Sequence, residues 1–202
     1  MVLDKGFFLQ DTEKVARELL GKVIVRKYDN KILRARIVET EAYLGIKDKA
    51  AHTYGGRRTD RTATMFKEGG ICYVYFTYGM YNLLNIVTER ENTPTAVLIR
   101  GIEPISDINE FSLNRYNDLY NNLSSYKKKN ITNGPGKLTI ALNIDRSFDG
   151  KDLFGDEIYI EDDGFRDYNI VSAKRVGIDY AEEWKDCLLR YYIKGNKYVS
   201  VL

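Results

Sequence analysis

Three side chains able to exchange protons lie two residues apart in the run Arg36-Ile37-Val38-Glu39-Thr40-Glu41-Ala42-Tyr43. The run reads as a β-strand, and side chains alternate along a strand, so Glu39, Glu41 and Tyr43 share one face. Two carboxylates and a phenol just ahead of a loop suit acid–base chemistry. Strand rise separates the carboxylates by roughly 7 Å, a spacing that inverting sugar hydrolases use. Those enzymes flank the sugar from both sides, however, whereas neighbours on one strand approach from one. Taken alone, a Glu-x-Glu pair reads as the solvated edge of a strand.

His52, the one histidine of the chain, follows in Ala50-Ala51-His52-Thr53. It is a proton shuttle, a flat ring for stacking, or an ordinary surface or core residue, and spacing does not separate these. Arg57, Arg58 and Arg61 cluster beside Gly55 and Gly56, as a solvated turn or as phosphate contacts. Arg100 ends the apolar run Ala96-Val97-Leu98-Ile99. Burial there requires a carboxylate partner, and Glu41 is the candidate. Lys127-Lys128-Lys129 reads as a solvated linker.

Residues 73–85 hold four tyrosines, at positions 73, 75, 78 and 81. Tyr73 to Thr77 are β-branched or aromatic and read as a strand. Tyr78-Gly79-Met80 is a tight turn, since Gly79 takes a positive φ without steric cost, and residues 81–87 run back as the partner strand. The resulting hairpin carries an aromatic and a methionine at its tip. An exposed apolar tip suits insertion into something flat, such as a base stack.

These side chains need a scaffold, and 202 residues suffice for one sizeable domain with a real core. No run of about 18 apolar residues predicts a membrane-spanning helix. The first residues lack the pattern of a secretory signal, and Cys72 and Cys187 have no metal-ligand spacing. A reducing, cytoplasmic setting without metal or cofactor is expected. The net charge of +2 decides nothing, because 31 basic and 29 acidic side chains can still segregate in space.

Hydrophobic pattern and turn residues predict a helix over 12–20, capped by Asp11 or Thr12, and strands over 22–28 and 32–43 around Asp29-Asn30. A long loop is expected over 45–70 and a strand over 95–102. Further predictions are a helix over 106–120, a basic connector over 126–133, and a short helix opened by Gly134-Pro135 and ended by Asn143. Strands are expected over 158–161, 188–194 and 198–201. The expected fold class is α+β: one mixed domain over 1–202, with a curved, mostly antiparallel sheet, peripheral helices and a protruding hairpin.

An aromatic wedge, flat rings, a carboxylate able to activate water and basic loop residues together match the needs of an enzyme that extracts a base from DNA. The chain resembles the alkyladenine (3-methyladenine) DNA glycosylase family. The resemblance rests on Ala16-Arg17-Glu18-Leu19-Leu20-Gly21, Arg36-Ile37-Val38-Glu39-Thr40-Glu41-Ala42-Tyr43-Leu44-Gly45 and Ala50-Ala51-His52. It continues through Met65-Phe66, Tyr73-Val74-Tyr75, Tyr78-Gly79-Met80-Tyr81, Asn85 and Val97-Leu98-Ile99-Arg100. Gly134-Pro135-Gly136-Lys137-Leu138, Arg175-Val176-Gly177-Ile178 and Tyr198-Val199-Ser200-Val201 complete it, so it spans nearly the whole chain in order.

The resemblance implies a monofunctional enzyme that leaves an abasic site, needs no metal or cofactor, and works as a monomer on double-stranded DNA containing damaged purines. It implies that Glu41 is the general base, with Arg100 and the Val176 carbonyl holding the attacking water. Tyr43 stacks on one face of the flipped base, with His52 and Tyr75 on the other. Asn85 stands on the pocket wall against guanine's 2-amino group, and Tyr78 fills the gap left in the duplex. Arg57, Thr59, Met80, Tyr81 and Lys137 belong to the DNA surface. The segment 88–94, between Asn85 and Arg100, is longer than the mammalian type implies. The alternative is a non-catalytic nucleic-acid-binding module, which uses the tyrosines as stacking platforms and leaves Glu41 without a role.

Overall fold

The computed structural model describes residues 1–77 and 79–201. Apolar alternation forms β1 (Val23–Tyr28) and β2 (Lys31–Tyr43). Asp29 and Asn30 join them with φ of 46° and 60°, the two-residue turn whose twist matches that of the flanking strands. The aromatic run forms β3 (Cys72–Thr77), which turns back as β4 (Tyr81–Thr88), and β5 (Thr95–Pro104) lies beside it. Three short strands complete the sheet: β6 (Ile158–Glu161), β7 (Ile170–Ala173) and β8 (Arg190–Ile193).

The strand order is β3-β4-β5-β2-β1-β6, with β8 also on β2 and β7 on β8. Every named pairing is antiparallel. β2 is the pivot. Residues 31–36 pair with β1, residues 39–41 pair with β8, and residues 35–43 pair with β5 on the other side. Register shifts around Glu39 in the β2–β5 ladder bend the strand, which helps to curl the sheet. The stretch that carries Glu39 and Glu41 therefore has a strand on each side. Both carboxylates are fully buried, which overturns the solvated-edge reading of the pair.

The helices pack around this sheet. α1 (Lys5–Phe8) is a single turn capped by Asp4, and the sequence pattern did not predict it. α2 (Thr12–Glu18) is capped by Asp11, whose side chain accepts from the Glu13 and Lys14 N–H groups. It buries Val15 and Ala16, and Thr40 Oγ1 donates to the Ala16 carbonyl at 2.8 Å. α3 (Ile108–Tyr116) is shorter than expected, because Asn117 adopts the left-handed conformation and ends it. The basic connector holds a short helix, α4 (Ser125–Lys129), capped by Ser124. α5 (Pro135–Ala141) packs on β4, where a Cβ at Gly136 would lie 2.7 Å from the Tyr81 ring. Leu19, Ile37, Leu84, Ile99, Phe111 and Leu138 join these layers in one core.

Two other expectations need correction. The predicted loop over 45–70 contains three 3₁₀ turns, Gly45–Lys47, Tyr54–Gly56 and Ala63–Phe66. The segment 198–201 is not a strand, because the Ser200 N–H donates to Glu39 Oε2 at 2.6 Å instead of to a neighbouring strand. Among the described residues, no helix is long and apolar enough to cross a membrane.

Candidate active site

A cavity of about 340 Å³ opens where β2, β3, β4 and β5 meet the loop that carries His52 and the segment 176–180. Tyr43, His52, Tyr73, Tyr75, Asn85, Arg100 and Val176 all line it. Residues far apart in sequence converge there because the antiparallel ladder sets Glu41 of β2 opposite Leu98 of β5, and Leu98 opposite Asn85 of β4.

Glu41 is held at both carboxylate oxygens. Oε1 accepts the Val176 N–H at 2.8 Å, and Oε2 accepts the Tyr43 hydroxyl at 2.9 Å and Arg100 Nη1 at 3.5 Å. Burial pushes the Glu41 carboxyl above its ordinary range, against the opposing pull of Arg100, the Val176 N–H and the Tyr43 hydroxyl. Burial also raises the Tyr43 phenol well above its usual value, so it stays protonated and donates. The result is a buried base with fixed orientation, shielded from bulk water. Arg100 pairs with Glu41 as the sequence indicated, and its Nε also reaches Glu39 Oε1 at 3.4 Å.

Behind Glu41 lies a polar network. Glu39 accepts from Arg190 Nη1 at 2.8 Å and from the Ser200 N–H. Asp48 and Arg175, both wholly buried, form a bidentate pair at 2.5 and 2.9 Å. Asp48 also accepts the Leu44 and Ala50 N–H groups. Arg175 donates to the Ala42 carbonyl at 3.0 Å, and its guanidinium sits 4.8 Å from the centre of the Tyr43 ring. This pair ties the strand end that carries Tyr43 to the segment that presents Val176. Sequence reasoning assigned no role to Asp48, Arg175 or Arg190. Asp48 and Arg175 lie 127 positions apart, so no local spacing connects them.

The cavity walls are aromatic. His52 Nδ1 lies 3.0 Å from the Tyr73 hydroxyl, and the His52 and Tyr75 rings meet edge to face at 4.6 Å and 75°. At that angle, only one of the two rings can lie parallel to a given base plane. Burial, reinforced by Arg61 and Arg57, pushes the His52 imidazole down to about 4, so the ring is neutral at pH 7. Tyr73 is buried and supports Tyr75 at 5.4 Å. Asn85 donates Nδ2 to the Tyr73 and Leu83 carbonyls, which leaves its carboxamide oxygen as the group it can offer a ligand.

Around the mouth, Met80 is 62% and Phe76 49% exposed on the β3–β4 hairpin, and Gly79 takes a φ of 68° in the turn. Tyr78 lies outside the described residues. Tyr81 packs over Gly136. Arg57 and Thr59 are exposed, with Thr59 bonded to Thr62. Lys137 is half-buried and its ammonium donates to Asn130 Oδ1 and to the carbonyl and Oδ1 of Asn133, so it is braced within the fold.

A buried carboxylate beneath an aromatic cavity, beside a hairpin with an apolar tip, is consistent with base-excision chemistry, and comparison with known proteins places the chain. The family model for methylpurine-DNA glycosylase (MPG) matches residues 6–197. The chain belongs to this family. A relative from Clostridium novyi (strain NT) is 56% identical over 98% of both chains. One from Clostridium perfringens (strain 13 / Type A) is 52% identical over 99% of both. One from Clostridioides difficile (strain 630) is 50% identical, over 95% of this chain and 100% of its own. All three carry 3-methyladenine DNA glycosylase in their names. Methylpurine-DNA glycosylases are hydrolases of N-glycosyl bonds that act in DNA repair, and this role is the chain's own.

Proposed function

We propose that this member of the family rotates an alkylated or deaminated purine of the 3-methyladenine type out of duplex DNA. It then hydrolyses the N-glycosidic bond with a water activated by Glu41, leaving an abasic site. The observation that carries the reading is Glu41 itself: a fully buried carboxylate, oriented by three donors, beside an aromatic cavity. Burying a carboxylate is costly. Buried Glu39 and Asp48 tie segments of the fold together, whereas Glu41 stands beside the cavity, where a module that only bound nucleic acid would have no use for it.

Cleavage passes through an oxocarbenium-like sugar. An ionised Glu41 both stabilises that cation and takes a proton from the attacking water. Arg100 and the Val176 carbonyl hold that water. Tyr43 stacks on one face of the extruded base and Tyr75 or His52 on the other, while Asn85 opposes the 2-amino group of guanine. Tyr78 fills the vacated stack, which offsets part of the few kcal/mol that flipping costs. Met80, Tyr81, Arg57 and Thr59 border the duplex, and Lys137 braces the loop beside it. The enzyme works on DNA in the cytoplasm, at the nucleoid, as a monomer over a single domain of 1–202, without metal or cofactor.

A base-release assay over duplexes carrying single alkylated and deaminated purines tests this reading. Release of 3-methyladenine with an intact abasic strand is expected. Tight DNA binding with no release of any purine would return the chain to the binding-module alternative.

A further inference from the structure

Two guanidinium groups back the aromatic walls of the cavity, and they differ in one respect. Arg175 lies 4.8 Å from the centre of the Tyr43 ring, but its charge is matched by the buried carboxylate of Asp48. Arg61 lies 4.9 Å from the centre of the Tyr75 ring. It does not line the cavity but the groove beside it, together with Lys49, Arg57 and Thr59. Among the described residues, no carboxylate lies within ion-pair distance of Arg61. Deeper in, Glu39, Glu41 and Asp48 face Arg100, Arg175 and Arg190, so those buried charges cancel. Arg61, which also bonds the Tyr73 phenol, stands with Arg57 among the charges at this wall that no carboxylate matches, and it is the one set over Tyr75.

We propose that Arg61 is a specificity-determining residue, whose guanidinium, set over Tyr75 from outside the cavity, favours release of neutral purines over cationic ones. The proposal rests on the glycosylase reading above and deepens it by naming the substrate charge that Arg61 favours.

The bookkeeping of charge in the reaction gives the reason. The bond between C1′ and the purine nitrogen breaks, and its electron pair goes to the base. A water oxygen bonds to C1′ and gives its proton to Glu41. A cationic purine departs neutral, so its positive charge moves away from Tyr75 and onto the sugar. A neutral purine departs with developing negative charge. A base stacked on Tyr75 lies within the roughly 10 Å screening length of 0.1 M salt from Arg61. Arg61 therefore stabilises the departing neutral purine in the transition state, where the gain is catalytic. With a cationic purine the same relief of charge is offset by opposition to ground-state binding, so the net gain from free enzyme to transition state cancels. The π face of Tyr75, which would otherwise attract a cationic base, already has a cation on it.

Arg61 is exposed, and its contacts are with the Tyr73 and Tyr75 side chains of the wall, so Arg61→Lys serves as the control that keeps the charge. The test is single-turnover release of hypoxanthine (neutral) and 7-methylguanine (cationic) from otherwise identical duplexes by wild type, Arg61→Gln and Arg61→Lys. For Arg61→Gln, the maximal rate for hypoxanthine should fall about ten-fold, equivalent to about 1.4 kcal/mol. The maximal rate for 7-methylguanine should fall too, but its half-saturating enzyme concentration should fall in proportion, so their ratio stays within about two-fold while the hypoxanthine ratio drops with its rate. Arg61→Lys, which keeps the charge, should recover most of the hypoxanthine rate. An equal loss on both substrates in the ratio of maximal rate to half-saturating enzyme concentration would make Arg61 a phosphate contact and overturn the proposal. So would no change on either, or a wild type that releases 7-methylguanine but not hypoxanthine. A wild type that releases no purine at all would overturn the glycosylase reading itself, a result visible before any variant is compared.

Discussion

The Glu41 carboxyl is raised by burial and pulled back by Arg100, the Val176 N–H and the Tyr43 hydroxyl, with burial the larger effect. It must be ionised to accept a proton from water, so activity is lost as pH falls through its pKa. With a cationic purine, whose leaving base needs no proton, the single-turnover rate should show an acid limb centred above pH 4.5, the ordinary value of the group. A rate flat across that region would remove Glu41 from the role of base. Asp48 makes a different claim. Asp48→Asn leaves Arg175 buried without its counter-charge, so the denaturant midpoint should drop by an amount equivalent to about 3–5 kcal/mol. An unchanged midpoint would mean that the pair does not hold Tyr43 and the Val176 segment in place. Glu41 and Arg100 were legible as partners because one ends an apolar strand and the other lies on a polar face. Asp48 and Arg175 were not, since neither sits in a local pattern that betrays burial.

At the scale of elements, the β3–β4 hairpin and α5 act together. Gly136 lets Tyr81 pack against the helix, so Gly136→Ala, which puts a methyl 2.7 Å from that ring, should cost about 1–3 kcal/mol in a thermal or denaturant melt. Unaltered stability would show that Tyr81 has room to move. Under the proposed wedge role, Tyr78→Ala should slow base flipping, followed by stopped-flow fluorescence, far more than it weakens initial DNA binding. A trace matching wild type would count against the wedge. The hairpin and the β1–β2 turn were readable because β-branched residues and turn-forming Asp29-Asn30 and Gly79 act locally. Four-residue β7 and the segment 198–201 were not. The first gains its ladder only from β8, and the second exchanges a ladder for Glu39 and Arg100.

Over the whole molecule, several groups with lowered pKa values shape the acid response, and His52 and Asp163 mark two of its steps. His52, down to about 4, stays neutral when folded but takes a proton near pH 6.5 when unfolded, so stability falls as pH drops from 6.5 toward 4. Asp163, held down to about 2 by its bonds to Arg36, adds stability that is present above pH 3.8 and lost as pH falls toward 2. Glu41, raised by burial, acts in the opposite sense above pH 4.5. His52→Gln should therefore flatten the melting temperature between pH 6.5 and 4 while leaving the lower step intact. A curve parallel to wild type would contradict the burial of a neutral imidazole. The sheet's order and fork were beyond local pattern, because β2 meets β1 and β8 along successive halves of one edge. That fork is what turns an apparent surface Glu-x-Glu into a buried base. The most direct test of the central claim is single-turnover release of 3-methyladenine by Glu41→Gln, alongside its affinity for abasic-site DNA. The rate should fall by about 10²–10⁴-fold with affinity retained, and release at the wild-type rate would contradict it.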